Sequence, residues 1–443
     1  MKHDLLNAPT RQVLTSMSIP TGLGILSILL FNITDTFFIS LLGTDALTAI
    51  SFTFPLTFII SSIIIGFGSG LSAALARLIG KGETDNLKSF VISALLLGLL
   101  TIAVLTTLGF WGSDPLFRLL GAEEKLLPLI HDYLNVWLIA IVFLVIPMMG
   151  NSALRATGNA KYPSYIMMGA GIVNVVLDPI LIFGFGPIAP MGIQGAAVAT
   201  LIAWAMSLVA SLVLLHKSQL IGWVSLSIDS VLKTWRTVLR VGQAAAVSQM
   251  INPLFNAIVM SMLASIDSKA VAAYGVGIRI ESVMLIGVIA LASSLMPFLA
   301  QNMGAGQVER AKSALLGSAK FSIISQFVLY VIIALLARPL AGLFSDDEAV
   351  IDYVVVFLYL VPFAYGALGM VIVVANALNA YNRPGASLLV NVARLFLLML
   401  PMVWLGKELL GTNGVFAAIA IGNILMGGAC YILATRITEG KNS

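Results

Sequence analysis

Two aspartates stand inside apolar runs long enough to cross a bilayer, one in FNITDTFFIS (residues 31–40) and one in NVVLDPILIFG (residues 174–184). Asn32 precedes Asp35 by three residues and Asn174 precedes Asp178 by four, spacings that bring amide and carboxyl to one face of a helix. A charge at mid-bilayer depth costs about 2.5–3.5 kcal/mol on insertion scales, so each carboxyl needs a cavity, a partner or a proton. Two carboxyls sharing a low-dielectric site titrate as a pair and can take up and release protons as a unit. That is the chemistry of proton coupling. The competing role is structural, each aspartate bonding neighbouring hydroxyls or amides to hold helices together.

Three further ionisable groups lie within apolar runs. Arg279 and Glu281, in GIRIES, are two residues apart and so do not face one another on a helix. Structural ion pairing with neighbours and a place in a substrate cavity both fit them. Arg394 reads as structural, or as a side chain that snorkels to the interface. Other chemistry is missing. No G-x-x-x-x-G-K-[ST] phosphate loop occurs, and the three histidines, His3, His131 and His216, sit near the ends of runs without a metal-ligand cluster. The single cysteine, Cys430, excludes an intrachain disulfide. Neither an enzyme nor a cofactor or metal is expected, which leaves an ion gradient as the energy source.

The elements that must hold these residues are membrane helices. Of 443 residues, 59% are hydrophobic and 10% charged, whereas a soluble domain carries about 25% charged residues. Runs of about 20 apolar residues recur along the chain. They predict twelve spans at 13–42, 47–76, 89–112, 126–150, 162–185, 190–215, 236–264, 270–300, 313–337, 350–378, 386–406 and 412–435. The fold class is therefore an all-α integral membrane protein. Seventeen Lys and Arg, among them Lys2 and Lys441, fall on the side of the termini and five on the other. Both termini are thus expected in the cytoplasm. The net charge of +4 is explained by these short loops, and nucleic-acid binding is not expected. Prolines inside spans, Pro20 foremost because it shares a helix with Asp35, are candidate hinges.

The two halves repeat at an offset of 224 residues. Phe31-Asn32 matches Phe255-Asn256, Gly80-x-Gly82 matches Gly304-x-Gly306, Lys88-Ser89 matches Lys312-Ser313, and Ala153-Leu154 matches Ala377-Leu378. The register then slips, so that Gly192-x-x-Gly195 faces Gly411-x-x-Gly414 at an offset of 219. Two six-helix bundles in the same orientation follow: residues 1–216 as an amino-terminal lobe, 217–235 as an amphipathic cytoplasmic connector, and 236–443 as a carboxyl-terminal lobe. Parallel repeats of this kind are a transporter architecture that works by alternating access. The acids are not duplicated, since Asp35 corresponds to Val259 in this register.

The loop ARLIGKGETDNLKS with its echo AQNMGAGQVERAKS, the stretch GNSALRATGNAKYPSY and the pair FNITDT with NVVLDPILIFG resemble the multidrug and toxic compound extrusion (MATE) family, in particular its DinF-like bacterial branch. The resemblance covers essentially the whole chain. It implies a V-shaped pair of six-helix lobes in the bacterial inner membrane, a monomer that exports lipophilic or cationic drugs in exchange for protons, or for sodium in some members. It implies a cation site formed by Asp35, Asn174 and Asp178 with Tyr133, and bending of the first helix near Pro20. Asn151, Asn252, Asn256 and Asn376 join Arg279 and Glu281 as candidates for the substrate cavity. The seventh and tenth spans carry these asparagines where sodium-coupled relatives carry acids, which makes sodium the less favoured ion. The runner-up is a lipid or lipid-linked precursor flippase of the same superfamily, which would need a more basic cavity; an uncoupled channel or scaffold is a third reading.

Overall fold

The computed structural model describes residues 4–439, with side chains through Arg436. Lys2, Lys441 and His3 lie outside the described residues. The described chain is helical throughout, apart from one isolated bridge between Phe185 and Ile188. In order, the helices are α1 (Thr10–Ser40), α2 (Thr44–Gly80), α3 (Leu87–Leu119), α4 (Leu127–Ala156), α5 (Lys161–Phe183), α6 (Ile193–Lys217) and α7 (Ile228–Ala264). They continue with α8 (Ser268–Met284), α9 (Ile286–Gly304), α10 (Val308–Leu335), α11 (Ala337–Gly342), α12 (Glu348–Leu360), α13 (Tyr365–Ala380), α14 (Pro384–Val392) and α15 (Leu400–Glu439).

These helices give the twelve spans a more broken form than the hydropathy pattern suggests. The eighth span is α8 and α9, interrupted at Leu285, and the tenth is α12 and α13, joined through a short 3-10 turn at Pro362–Ala364. The eleventh runs from α14 through a π-helical stretch, Ala393–Met399, into α15. By length and apolar composition 11 helical stretches can cross a membrane, and the last of them is 53 residues long. At 1.5 Å per residue that is about 80 Å, far beyond a bilayer core of about 30 Å. Gly411 divides it. Its φ of 58° and ψ of −136° reverse the helix inside α15. Only glycine adopts that conformation readily, so the eleventh and twelfth spans are separated by a single residue.

Gly192, at the start of α6, has φ 58° and ψ −139°, the same conformation as Gly411. The repeat read from sequence at the slipped offset is thus repeated in backbone geometry. Gly82 and Gly306, 224 residues apart, likewise share left-handed φ values of 77° and 75° after their helices.

The chain divides into two compact units. The first holds α1 from Ile19 onward, α2 to α6, and α7 as far as Ala246. The second holds Leu5–Ser18 and the chain from Val247. The first unit is organised around α4, which packs against α2, α3 and α6. Small residues allow α7 to approach α2 closely: Gly66 and Gly70 on one helix face Val238, Gly242 and Ala246 on the other. The Trp235 indole donates to the Ser93 carbonyl at 2.8 Å and fixes α7 against α3. This corrects the expected start of the seventh span at 236. Only residues 218–227 of the expected connector are non-helical, and α7 is helical from Ile228, where the Ser227 hydroxyl accepts from the Ser230 amide at 3.3 Å.

The core of the second unit surrounds an aromatic cluster, with Tyr274, Phe357 and Phe416 at centroid separations of 5.2 to 6.5 Å. The amino-terminal segment is tied into this unit. Leu5 is buried, its carbonyl accepts from Asn302 at 3.1 Å, and Arg310 donates to the carbonyls of Leu5 and Ala8. Helix α1 continues unbroken through Pro20, and the division between the units falls just before it, between Ser18 and Ile19.

Candidate functional site

Inside the first unit, α1, α2, α4, α5 and α6 enclose a cavity of about 500 Å³. α1 contributes Phe31, Asn32 and Asp35, the last two on the i and i+3 face anticipated from FNITDT. α2 adds Thr53, Phe54, Thr57, Phe58 and Ser61, and α4 adds Tyr133, Trp137, Met148 and Asn151. α6 closes the wall with Thr200, Trp204 and Ser207. The Trp137 and Trp204 rings meet edge to face, with centroids 6.0 Å apart and planes at 72°. The surface is thus mostly apolar, with aromatic rings prominent on it and hydroxyls, amides and one carboxylic acid set into it.

Asp35 is 7% exposed, and Asn174 and Asp178 are fully buried. Asn174 and Asp178 do not themselves reach the cavity wall. They lie behind it in α5, where the Asn174 amide donates to the Thr200 hydroxyl at 3.3 Å. Tyr133 is within electrostatic reach of both carboxyls, and the two carboxyls of each other, so the three groups form one site. Within it Asp35 Oδ1, both Asp178 oxygens and Asn174 Oδ1 are buried without a hydrogen-bond partner, whereas Asn151, whose Oδ1 is also unpaired, stands 18 residues further along α4 from Tyr133, about 27 Å away. Buried acceptors are almost always paired. Four unpaired oxygens collect here, a set able to accept a proton or a small cation. Among the described residues no three His, Cys, Asp or Glu side chains cluster as a metal site.

Asn32, by contrast, is exposed at the cavity edge. Thr200, Trp137 and Trp204 had no signal in the sequence beyond their residue types; only the packing of α6 on α4 and α5 brings them in.

The candidates in the second half belong to the second unit and divide differently. Arg394 is buried in the π-helical stretch and donates to Asn252 Oδ1 at 2.8 Å and to Asn423 Oδ1 at 3.1 Å. Snorkelling is therefore excluded for Arg394: both acceptors hold the guanidinium in the protein. Asn256 accepts from the Tyr274 hydroxyl at 3.0 Å. Glu281 is partly buried, within electrostatic reach of Arg394, Tyr274 and Tyr365. Arg279 is exposed on another face of α8, as its spacing from Glu281 required. Asn376 bonds back to Ile372 of its own helix at 3.0 Å and joins none of these groups.

The MatE family model matches residues 20–180 and 244–405, two segments that start 224 residues apart. The FAD transporter of Shewanella oneidensis is 51% identical over 439 residues, covering 99% of this chain and 97% of that protein. The multidrug export protein MepA of Staphylococcus aureus is 24% identical over 445 residues, covering 97% and 96%. Among solved structures, the Vibrio cholerae MATE transporter VcmN in its bent form is similar with a TM-score of 0.92 and 29% identity, over 97% of each chain.

Proposed function

The chain belongs to the MATE family of membrane transporters, and on that premise we propose that it is a proton-coupled secondary exporter whose cargo is flavin adenine dinucleotide. The set of unpaired buried oxygens at Asp35, Asp178 and Asn174 carries the coupling half of this reading. Protons entering from outside occupy the carboxyls, the lobes change access, and release to the cytoplasm resets them. Sodium is the less favoured ion, because the second unit fills its asparagine sites with Arg394 and Tyr274 rather than with acids. The cargo half is supported by the 51% identity to an FAD transporter. The aromatic faces of Phe31, Phe54, Phe58, Trp137 and Trp204 suit the flat rings of a flavin or an adenine.

A second reading, export of cationic amphipathic drugs, is favoured by a cavity whose only charged group is an acid. The two cargoes imply different coupling. A cationic drug competes with the proton for Asp35 directly, whereas the phosphates of a dinucleotide do not, and coupling then runs through the change of access alone. A cavity whose only charged group is an acid offers no counter-charge to a diphosphate, which counts against a flippase of diphosphate-linked lipids and leaves the FAD reading resting on the 51% identity and the aromatic walls; the paired repeats speak against a simple channel. Proteoliposomes loaded with FAD or with a cationic dye, under separately imposed proton and sodium gradients, test all of this. FAD efflux driven by the proton gradient and abolished in Asp35→Asn is expected. Undiminished gradient-driven efflux in that variant refutes the coupling site, and efflux of the dye alone refutes the cargo.

A further inference from the structure

A second cleft, of about 1200 Å³, opens in the first unit between the α2–α3 turn and the beginning of α7. Arg77 and Lys81 enter it from the end of α2, and Ser230, Lys233 and Thr237 face it from α7 at spacings of three and four. Arg240 continues that stripe by three residues and stands close enough to Arg77 for their like charges to oppose each other. Of the two acids on the wall, Glu83 is engaged by Lys81 at 3.7 Å, which leaves Asp85. Among the described residues Lys233 and Arg240 form no ion pair. The N-terminus of a 37-residue helix, at Ile228, adds its positive dipole end to the same place.

The rim has the opposite character. Trp223 is wholly exposed, and Leu226, Ile228 and Leu232 are exposed beside it. An indole and three aliphatic side chains displayed next to a cationic cleft are out of place in water but at home at a membrane interface, where tryptophan is enriched. We infer that this cleft binds the phosphate headgroup of an anionic phospholipid of the cytoplasmic leaflet, with its acyl chains lying along Trp223, Ile228 and Leu232. Basic pockets between membrane helices on that side bind such headgroups. The Ser230 hydroxyl of α7 supplies a neutral donor to the phosphate oxygens, whereas that of Thr237 already donates to the Lys233 carbonyl at 2.8 Å, and an anion beside Arg77 offsets its like-charge opposition with Arg240.

The test uses the full-length protein in nanodiscs of phosphatidylcholine containing phosphatidylglycerol or cardiolipin, with retained lipids counted by native mass spectrometry. The wild type should retain the anionic lipid in preference to phosphatidylcholine. Lys233→Gln with Arg240→Gln should cut that preference by about fivefold per cation removed, while Lys233→Arg with Arg240→Lys keeps it, which separates loss of charge from loss of fold. Trp223→Ser should weaken retention of lipid without changing competition by inorganic phosphate. Equal preference in the glutamine variant overturns the inference. So does displacement of the lipid by millimolar inorganic phosphate with no dependence on Trp223, which would mark a site for soluble phosphate instead.

Discussion

Replacing Gly70 by alanine should loosen the first unit by an amount that the α2–α7 crossing sets. A Cβ on Gly70 would lie 2.3 Å from the Val238 carbonyl oxygen and 3.0 Å from the Gly242 nitrogen. Both are backbone atoms, so no rotamer change relieves the overlap. Comfortable carbon contacts begin at about 3.5 Å, and the two helices must therefore separate by about 1 Å along the crossing. Overpacking of this kind costs about 1–3 kcal/mol, against a gain of about 1 kcal/mol for alanine over glycine within a helix. Gly169 in α5 is the control, since a Cβ there meets nothing within 4 Å and only the gain applies. The difference between the two variants is then the overpacking itself, roughly 2–12 °C in melting temperature for units of this size. Thermal unfolding in detergent, followed by tryptophan fluorescence, measures it. Because α2 also carries Thr53, Phe54, Thr57 and Ser61 of the cavity wall, FAD efflux should fall in Gly70→Ala and stay unchanged in Gly169→Ala. If the two variants melt together, the close approach of α2 and α7 is not the constraint described.

Arg394→Leu should leave the buried oxygens of Asn252 and Asn423 without a donor, at about 1–3 kcal/mol each, and Arg394→Lys should recover only part of the melting temperature because an ammonium lacks the planar fork. Thr200→Val should orphan the Asn174 amide and lower gradient-driven efflux while surface expression is kept, as measured in proteoliposomes and by membrane blotting. Arg310→Gln should release the carbonyls of Leu5 and Ala8, seen as faster amide hydrogen exchange over residues 5–12 with the core of α9 unchanged. Lys269, hydrogen-bonded to Asp347 at 2.8 Å, holds that carboxyl below its usual range, with the Ala349 amide adding to the effect. A depressed carboxyl stabilises the fold above its ordinary titration range and loses that contribution as pH falls through it, so Asp347→Asn should flatten the acid limb of the melting profile below about pH 4.

Much of this architecture was legible in the sequence because a membrane imposes one strong rule, that apolar length means a helix. The repeat was legible for a related reason: backbone reversals such as Gly192 and Gly411 need glycine, and glycine is visible in a sequence. Asp35 and Asp178 stood out by being costly where they are. What the sequence hid depends on contacts rather than composition. The interruption at Leu285 has only Gly287, two residues on, to mark it, and a lone glycine inside an apolar run is a weak sign. The contact of Trp235 with Ser93, 142 residues away, is one such contact. Asn376 looked like Asn256 as a residue type, but it bonds its own helix while Asn256 meets Tyr274.

The two units share a repeat and yet differ in what they place at equivalent buried positions. At equivalent positions the first unit has Asp35 and the second has Val259, wholly buried in apolar surroundings. In the second unit the amides of Asn252, Asn256 and Asn423 are met by an arginine and a tyrosine. In the first, carboxyl and amide oxygens collect with no cation to meet them. A paired network keeps the same hydrogen bonds through a cycle, whereas an unpaired set of acceptors changes its energy with every proton bound or lost. The duplication thus supplies two similar bodies, and on the reading proposed above the ion-dependent step belongs to the one that carries Asp35, where the other has Val259. Restoring an acid at Val259, as in Val259→Asp, should then create a second buried carboxyl that Tyr274 or Arg394 must answer. The expected result is a less stable protein whose gradient-driven efflux still depends on Asp35, as efflux from Val259→Asp with and without Asp35→Asn would show.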